Sequence, residues 1–144
     1  MKRLALFLIT ACLCAGAMAA DVIKAERKEV FGDVTVHYNT FNSTFLTPDI
    51  AKATELVRSK NQGVINVSVI KDGKPLMAQV SGTIKDLTSK AVPLTFRQVI
   101  EQGAIYYIAQ YPVEQQENRT FEIKVQTGDK INTLNFNQEL FPGE

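Results

Sequence analysis

Apolar and polar residues alternate along much of the chain with a period of two, the pattern of strands that bury one face. In Val64–Ile70, Ile65, Val67 and Val69 share one face, and Val64, Asn66, Ser68 and Ile70 share the other. Val34–Asn42 sets Val34, Val36 and Tyr38 against Thr35, His37 and Asn39. Arg119–Gln126 points Phe121, Ile123 and Val125 inward, and Lys130–Leu140 does the same with Leu134 and Phe136. Two turns connect such runs. Asp72-Gly73, within Lys71–Lys74, accepts positive φ at low cost and predicts a hairpin into Leu76–Ile84, while Thr127–Lys130 closes a second hairpin.

Two stretches break this rhythm. Over Thr47–Val57, Thr47 can cap, Pro48 suits the first helical position and Asp49 complements the helix dipole, which predicts one short helix. Thr95–Gly103 reads two ways: as a helix with a Thr95/Gln98 capping box, or as a strand over Leu94–Ile100 that turns at Glu101-Gln102-Gly103 into Ala104–Tyr111. The β-rich neighbours favour the strand. About seven short strands separated by Gly and Pro signals predict an all-β protein, an immunoglobulin-like antiparallel β-sandwich with one short helix. A lipocalin-type barrel would need a longer chain and a Trp near its first strand, and the sequence has no Trp.

The first residues follow a different rule. Met1-Lys2-Arg3 gives a positive start, Leu4–Gly16 an uncharged, largely apolar run, and Ala17-Met18-Ala19 an A-x-A cleavage site. This pattern predicts a signal peptide over residues 1–19, a cut after Ala19 and one domain over residues 20–144, exported to the periplasm. Ile9-Thr10-Ala11-Cys12 also fits a lipobox, the alternative being an acylated Cys12, although an apolar Leu13–Ala20 stretch would then stand where a polar tether belongs. Removing residues 1–19 takes away Lys2 and Arg3 and leaves 14 basic against 15 acidic residues, a net charge of −1. That balance supplies no basic stripe for nucleic acid and no polybasic cluster for anionic lipid. Cys12 and Cys14 leave with the same segment, so the expected domain stands without a disulfide. Its 125 residues suffice to build a core.

The search for chemistry returns little. His37 is the one histidine, on the polar face of a strand, without the Cys partner or the His-x-His or Glu-x-x-His spacing of a metal site. No Gly-x-Ser-x-Gly elbow occurs, and the carboxylates Asp33, Asp49, Glu55, Asp72, Asp86, Glu101, Glu114 and Glu117 are dispersed as on any β-protein surface. No cofactor is expected. Ala104–Tyr111 differs, because both its faces are apolar or aromatic. Strand geometry sends Tyr106 and Tyr107 to opposite faces, so either the Thr47–Val57 helix covers the second face or a tyrosine is left as a contact surface for a peptide, a glycan or a partner protein. Phe41-Asn42-Ser43-Thr44-Phe45 forms a rim beside it or a local turn bonding its own backbone, and Arg58 lies in the basic loop Arg58-Ser59-Lys60-Asn61. Tyr106, Tyr107, Phe41, Asn42 and Arg58 are therefore the candidate binding residues.

Phe41–Pro48, Arg58-Ser59-Lys60, Asn66-Val67-Ser68-Val69 and Glu101–Ala109 together resemble the domain of unknown function 4426, a family of short exported proteins of Gram-negative bacteria. The resemblance runs from Phe31 to Phe141 and implies a periplasmic β-sandwich. It attaches no activity, cofactor or catalytic residue to any position. Two functions stay open: a non-enzymatic module that binds a peptide or another envelope protein, and an envelope hydrolase or accessory enzyme using dispersed carboxylates or His37. A shared pocket for His37 and a carboxylate would favour the second, an aromatic patch the first.

Overall fold

The computed structural model describes residues 27–143; the signal-peptide reading and its Cys12 alternative lie outside the described residues. Ten strands build two antiparallel sheets. The larger contains β1 (Arg27–Phe31), β2 (Val34–Asn42), β3 (Gln62–Lys71), β8 (Ala104–Pro112) and β7 (Arg97–Glu101) in that order, with the two-residue β4 (Lys74–Pro75) also on β3. The smaller runs β10 (Lys130–Leu140), β9 (Glu117–Thr127), β5 (Gln79–Lys85), β6 (Ala91–Leu94). A 3-10 turn, Ser43–Phe45, and one helix, α1 (Pro48–Thr54), separate β2 from β3.

The faces assigned from the alternation meet in the space between the sheets. Val36, Ile65, Val67, Phe121, Ile123, Val125 and Leu134 are inaccessible to solvent, and Val34, Tyr38, Val69, Tyr107 and Tyr111 complete the layer. Its centre is aromatic: Phe121 and Phe136 stack at 4.8 Å, Tyr111 meets Phe121 edge-on at 5.3 Å, and Tyr38 tilts against Phe136 at 4.6 Å. Such pairs add to the burial of their area, and the layer supplies the main driving force for the fold.

The architecture is the expected all-β sandwich with one helix, in ten strands where the sequence predicts about seven. Three segments account for the difference. Arg27–Phe31 adds a short, exposed edge strand on β2. Just before the run expected over Leu76–Ile84, β4 stays with β3, while the run itself enters the other sheet as β5 from Gln79. Leu94–Ile100 divides, for β6 pairs with β5 and β7 with β8, and Thr95-Phe96 carries the chain between the sheets. The hairpin at Asp72-Gly73 has both residues at positive φ, 51° and 73°, which glycine tolerates without strain and aspartate at small cost. α1 starts as expected, with Thr47 Oγ1 accepting from the Ile50 amide at 3.2 Å, but stops at Glu55, whose left-handed φ of 56° turns the chain three residues before Arg58.

Candidate functional site

The outer face of the larger sheet carries the candidate residues, and the order of its strands decides which of them meet. β2, β3 and β8 are inner strands, each paired on both sides. Their outward residues face each other in register: Phe41 opposite Val64, Asn39 opposite Asn66, His37 opposite Ser68, Thr35 opposite Ile70, and Asn66 opposite Ile108 of β8.

α1 and the 3-10 turn cover one end of this face. Leu46, Ala51, Val64 and Ile108 form a second buried cluster there, flanked by Phe41, Ile50, Leu56, Val99 and Tyr106. Polar bonds pin the cover. Asn42 caps the 3-10 turn, its Oδ1 accepting from the Thr44 amide at 3.1 Å and hydroxyl at 2.9 Å while Nδ2 donates to the Lys60 carbonyl at 2.9 Å. Buried Ser43 donates its hydroxyl to the Ser59 carbonyl and accepts from the Ser59 amide, both at 2.8 Å. Gln110 clamps Val57 in both directions, and Arg58 donates to the Thr44 carbonyl at 3.3 Å. Phe41, Asn42 and Arg58 thus work in and around the cover, Phe41 beneath it and the other two in its loops.

The tyrosines part as strand geometry requires. Tyr107 points between the sheets, is 4% exposed, and accepts the Ala78 amide at 2.9 Å on its hydroxyl. Tyr106 points outward, is half-buried, and stands at the edge of the cover. Beyond that edge the face opens into a shallow basin of about 410 Å³ lined by His37, Asn39, Asn66, Ser68, Ile70 and Tyr106. Asn66 Oδ1 is buried and has no hydrogen-bond partner among the described residues. A buried polar atom left unmatched costs free energy and calls for an explanation. Asn39, Asn66 and Ser68 are absent from the residues that sequence reasoning selects. The signal that would have found them is polar residues interrupting the outward face of β3 between Val64 and Ile70.

The carboxylates lie elsewhere. Glu55 pairs with Arg97 at 2.9 Å, Glu117 with Arg119 at 3.1 Å, and Asp33 with Lys71 at 3.3 Å. The Lys71 hydrogen bond and charge hold the Asp33 carboxyl below its ordinary range. Asp86 closes a turn by accepting from the Thr88 hydroxyl and amide, and the hydroxyl bond lowers its pKa. Of the further clefts among the described residues, two differ most in their linings. One, about 640 Å³, opens at the end of the sandwich between the Gly32-Asp33 and Gly128-Asp129 turns, with Lys71 and Lys130 facing the aspartates. The other, about 290 Å³, runs between α1 and β7 past Ile50, Ala53, Val99 and Ile100. No three of His, Cys, Asp and Glu come together among the described residues, and no helix among them is long and apolar enough to cross a membrane.

Comparison with known proteins fits this architecture. A crystal structure of a DUF4426 family protein from Pseudomonas aeruginosa is 54% identical, covers 83% of this chain and 97% of its own, and superposes with a TM-score of 0.79. A copper-bound variant of FetP from uropathogenic Escherichia coli is 10% identical over 82% of this chain and 96% of its own, with a TM-score of 0.62. An as-isolated FetP structure is 9% identical with a TM-score of 0.59, covering 82% and 95%. At that identity the likeness is one of fold. No curated protein matches the chain. The model of the domain of unknown function DUF4426 matches residues 28–143, and with a relative of 54% identity beside it the chain belongs to the DUF4426 family.

Proposed function

We propose that this chain is an exported envelope protein that binds a ligand without catalysis, at the outer face of its larger sheet around Tyr106. The carrying observation is the basin beside Tyr106, where polar side chains gather on three inner strands and Asn66 Oδ1 stays unmatched. A surface selected only for solubility has no need of such an atom, whereas a binding site uses it. Enzymatic readings have less support, because no Asp or Glu is among the described residues that line the basin.

Copper, held by a variant of FetP in one structure, does not suit the described residues of this chain. Among the described residues, His37 lines the basin and Met77 the clefts at the end of the sandwich, and no second His, Cys or Met lines either place. The periplasmic assignment rests on the signal pattern of residues 1–19 and on the fold shared with FetP, a protein produced in the periplasm for its structure. Processing would leave a chain that begins at Ala20 without lipid, which intact-mass analysis reads directly; an acylated Cys12 overturns it.

The binding reading is tested in living cells with a photo-crosslinking benzoylphenylalanine in place of Tyr106, and a control at Lys124 on the outer face of the smaller sheet. An adduct at position 106 and none at 124 is expected. Equal yields, or none at 106, overturn the reading.

A further inference from the structure

We infer that the ligand of the basin is a neutral saccharide, an inference that rests on the binding role proposed for this face. The described residues that line it, His37, Asn39, Asn66, Ser68, Ile70 and Tyr106, include no Lys, Arg, Asp or Glu. Among these side chains an ionic ligand would find no ammonium, guanidinium or carboxylate, and an apolar one would leave two primary amides and a hydroxyl unpaired. A sugar presents what these groups complement: adjacent hydroxyls that donate and accept, and C–H faces that pack on Tyr106 and Ile70. The volume, about 410 Å³, stands at the lower end of the roughly 300–1,000 Å³ usual for small-molecule sites.

Backbone pairing argues against an extended peptide. Peptides that add to sheets bond to the free edge of an outer strand. β2, β3 and β8 are inner strands, so the basin lies on the face of the sheet and not along its outer edge. Asn66 is suited to binding there. Its Oδ1 has no partner among the described residues, so a turn about χ2, a broad torsion, that presents this oxygen to a ligand hydroxyl breaks none of its bonds. Opposite it in register, Asn39 supplies a second amide.

The test is NMR titration of the folded domain with four neutral methyl pyranosides (glucose, galactose, mannose and N-acetylglucosamine), with glucose 6-phosphate and trialanine as charged and peptide controls. Saturable shifts of the Asn39 and Asn66 side-chain amides with at least one neutral sugar are expected, and Asn66→Val should weaken that affinity at least tenfold. Ser68→Ala gives an independent variant if Asn66→Val fails to fold. No saturable response to any of the four, a response to the charged or peptide probe alone, or unchanged affinity in the folded variants overturns the inference. A photo-adduct at position 106 with no saccharide response would leave the binding role standing and refute only the saccharide.

Discussion

Gly63 of β3 lies opposite Tyr111 of β8, and the tyrosine ring occupies the space that any Cβ at position 63 would need. The aromatic ring covers the bare backbone of the facing strand and seals this end of the core. Gly63→Ala should therefore destabilise the domain by roughly 1–3 kcal/mol through overpacking, read as a lower denaturant midpoint at unchanged m-value. An unchanged midpoint would mean that the ring is free to move aside.

The same ring predicts the response to alkali. Burial pushes the Tyr111 hydroxyl well above its ordinary pKa of 10.0, against the opposing hydrogen bond to Thr40 and the charge of Arg119. Folding keeps the group neutral where the unfolded chain ionises it. Its contribution is thus complete below about pH 10 and declines by up to about 1.4 kcal/mol per pH unit above that. Urea unfolding from about pH 9 to 11 should show a steeper loss in the wild type than in Tyr111→Phe.

Tyr106 and Tyr107 should differ although they are neighbours. Tyr107→Ala empties part of the core and strips the Ala78 amide of its acceptor, costing roughly 3–5 kcal/mol. Tyr106→Ala removes a half-buried ring at the edge of the cover and should cost about 1 kcal/mol. Equal, severe losses would make both rings structural and remove Tyr106 from the proposed site.

Asn66→Val should raise stability by about 1 kcal/mol, because it removes an unmatched buried oxygen and places a β-branched residue in an inner strand. A fall in stability would assign Asn66 a structural role instead.

Asn42→Ala should lower stability by about 2 kcal/mol, the sum of a lost cap and a lost bond to the Lys60 carbonyl. Melting curves measure it, and a neutral result would show that the cover of the outer face holds without its cap.

The sequence was most legible where a local pattern suffices. Thr47-Pro48-Asp49 marked the start of α1, Asp72-Gly73 marked a hairpin, and Phe121, Ile123 and Val125 showed their buried face by alternation alone. β1 was missed because Arg27–Phe31 is exposed and gains its order from pairing with β2. Ala78 and Thr95-Phe96 gave no local sign that the chain changes sheets near them, since a crossing is fixed by which strands compete for an edge. The basin is invisible for the same reason. His37 and Asn66 are 29 positions apart, and only the order of β2, β3 and β8 brings their faces together.

The two long sides of the sandwich are closed by unlike means. On one, the covalent step from β6 to β7 through Thr95-Phe96 joins the outermost strands of both sheets. On the other, the Arg27 guanidinium bonds Gln138 Oε1 at 2.7 Å and lies over Tyr38 and Phe136 at 4.9 and 4.6 Å from their centroids, joining β1 to β10 by contact alone. The first side is a hinge and the second a latch. Transient opening should begin at the latch, so the amides of β1 exchange with solvent before those of β7, and the aromatic interior meets water first from the side that Arg27 holds shut.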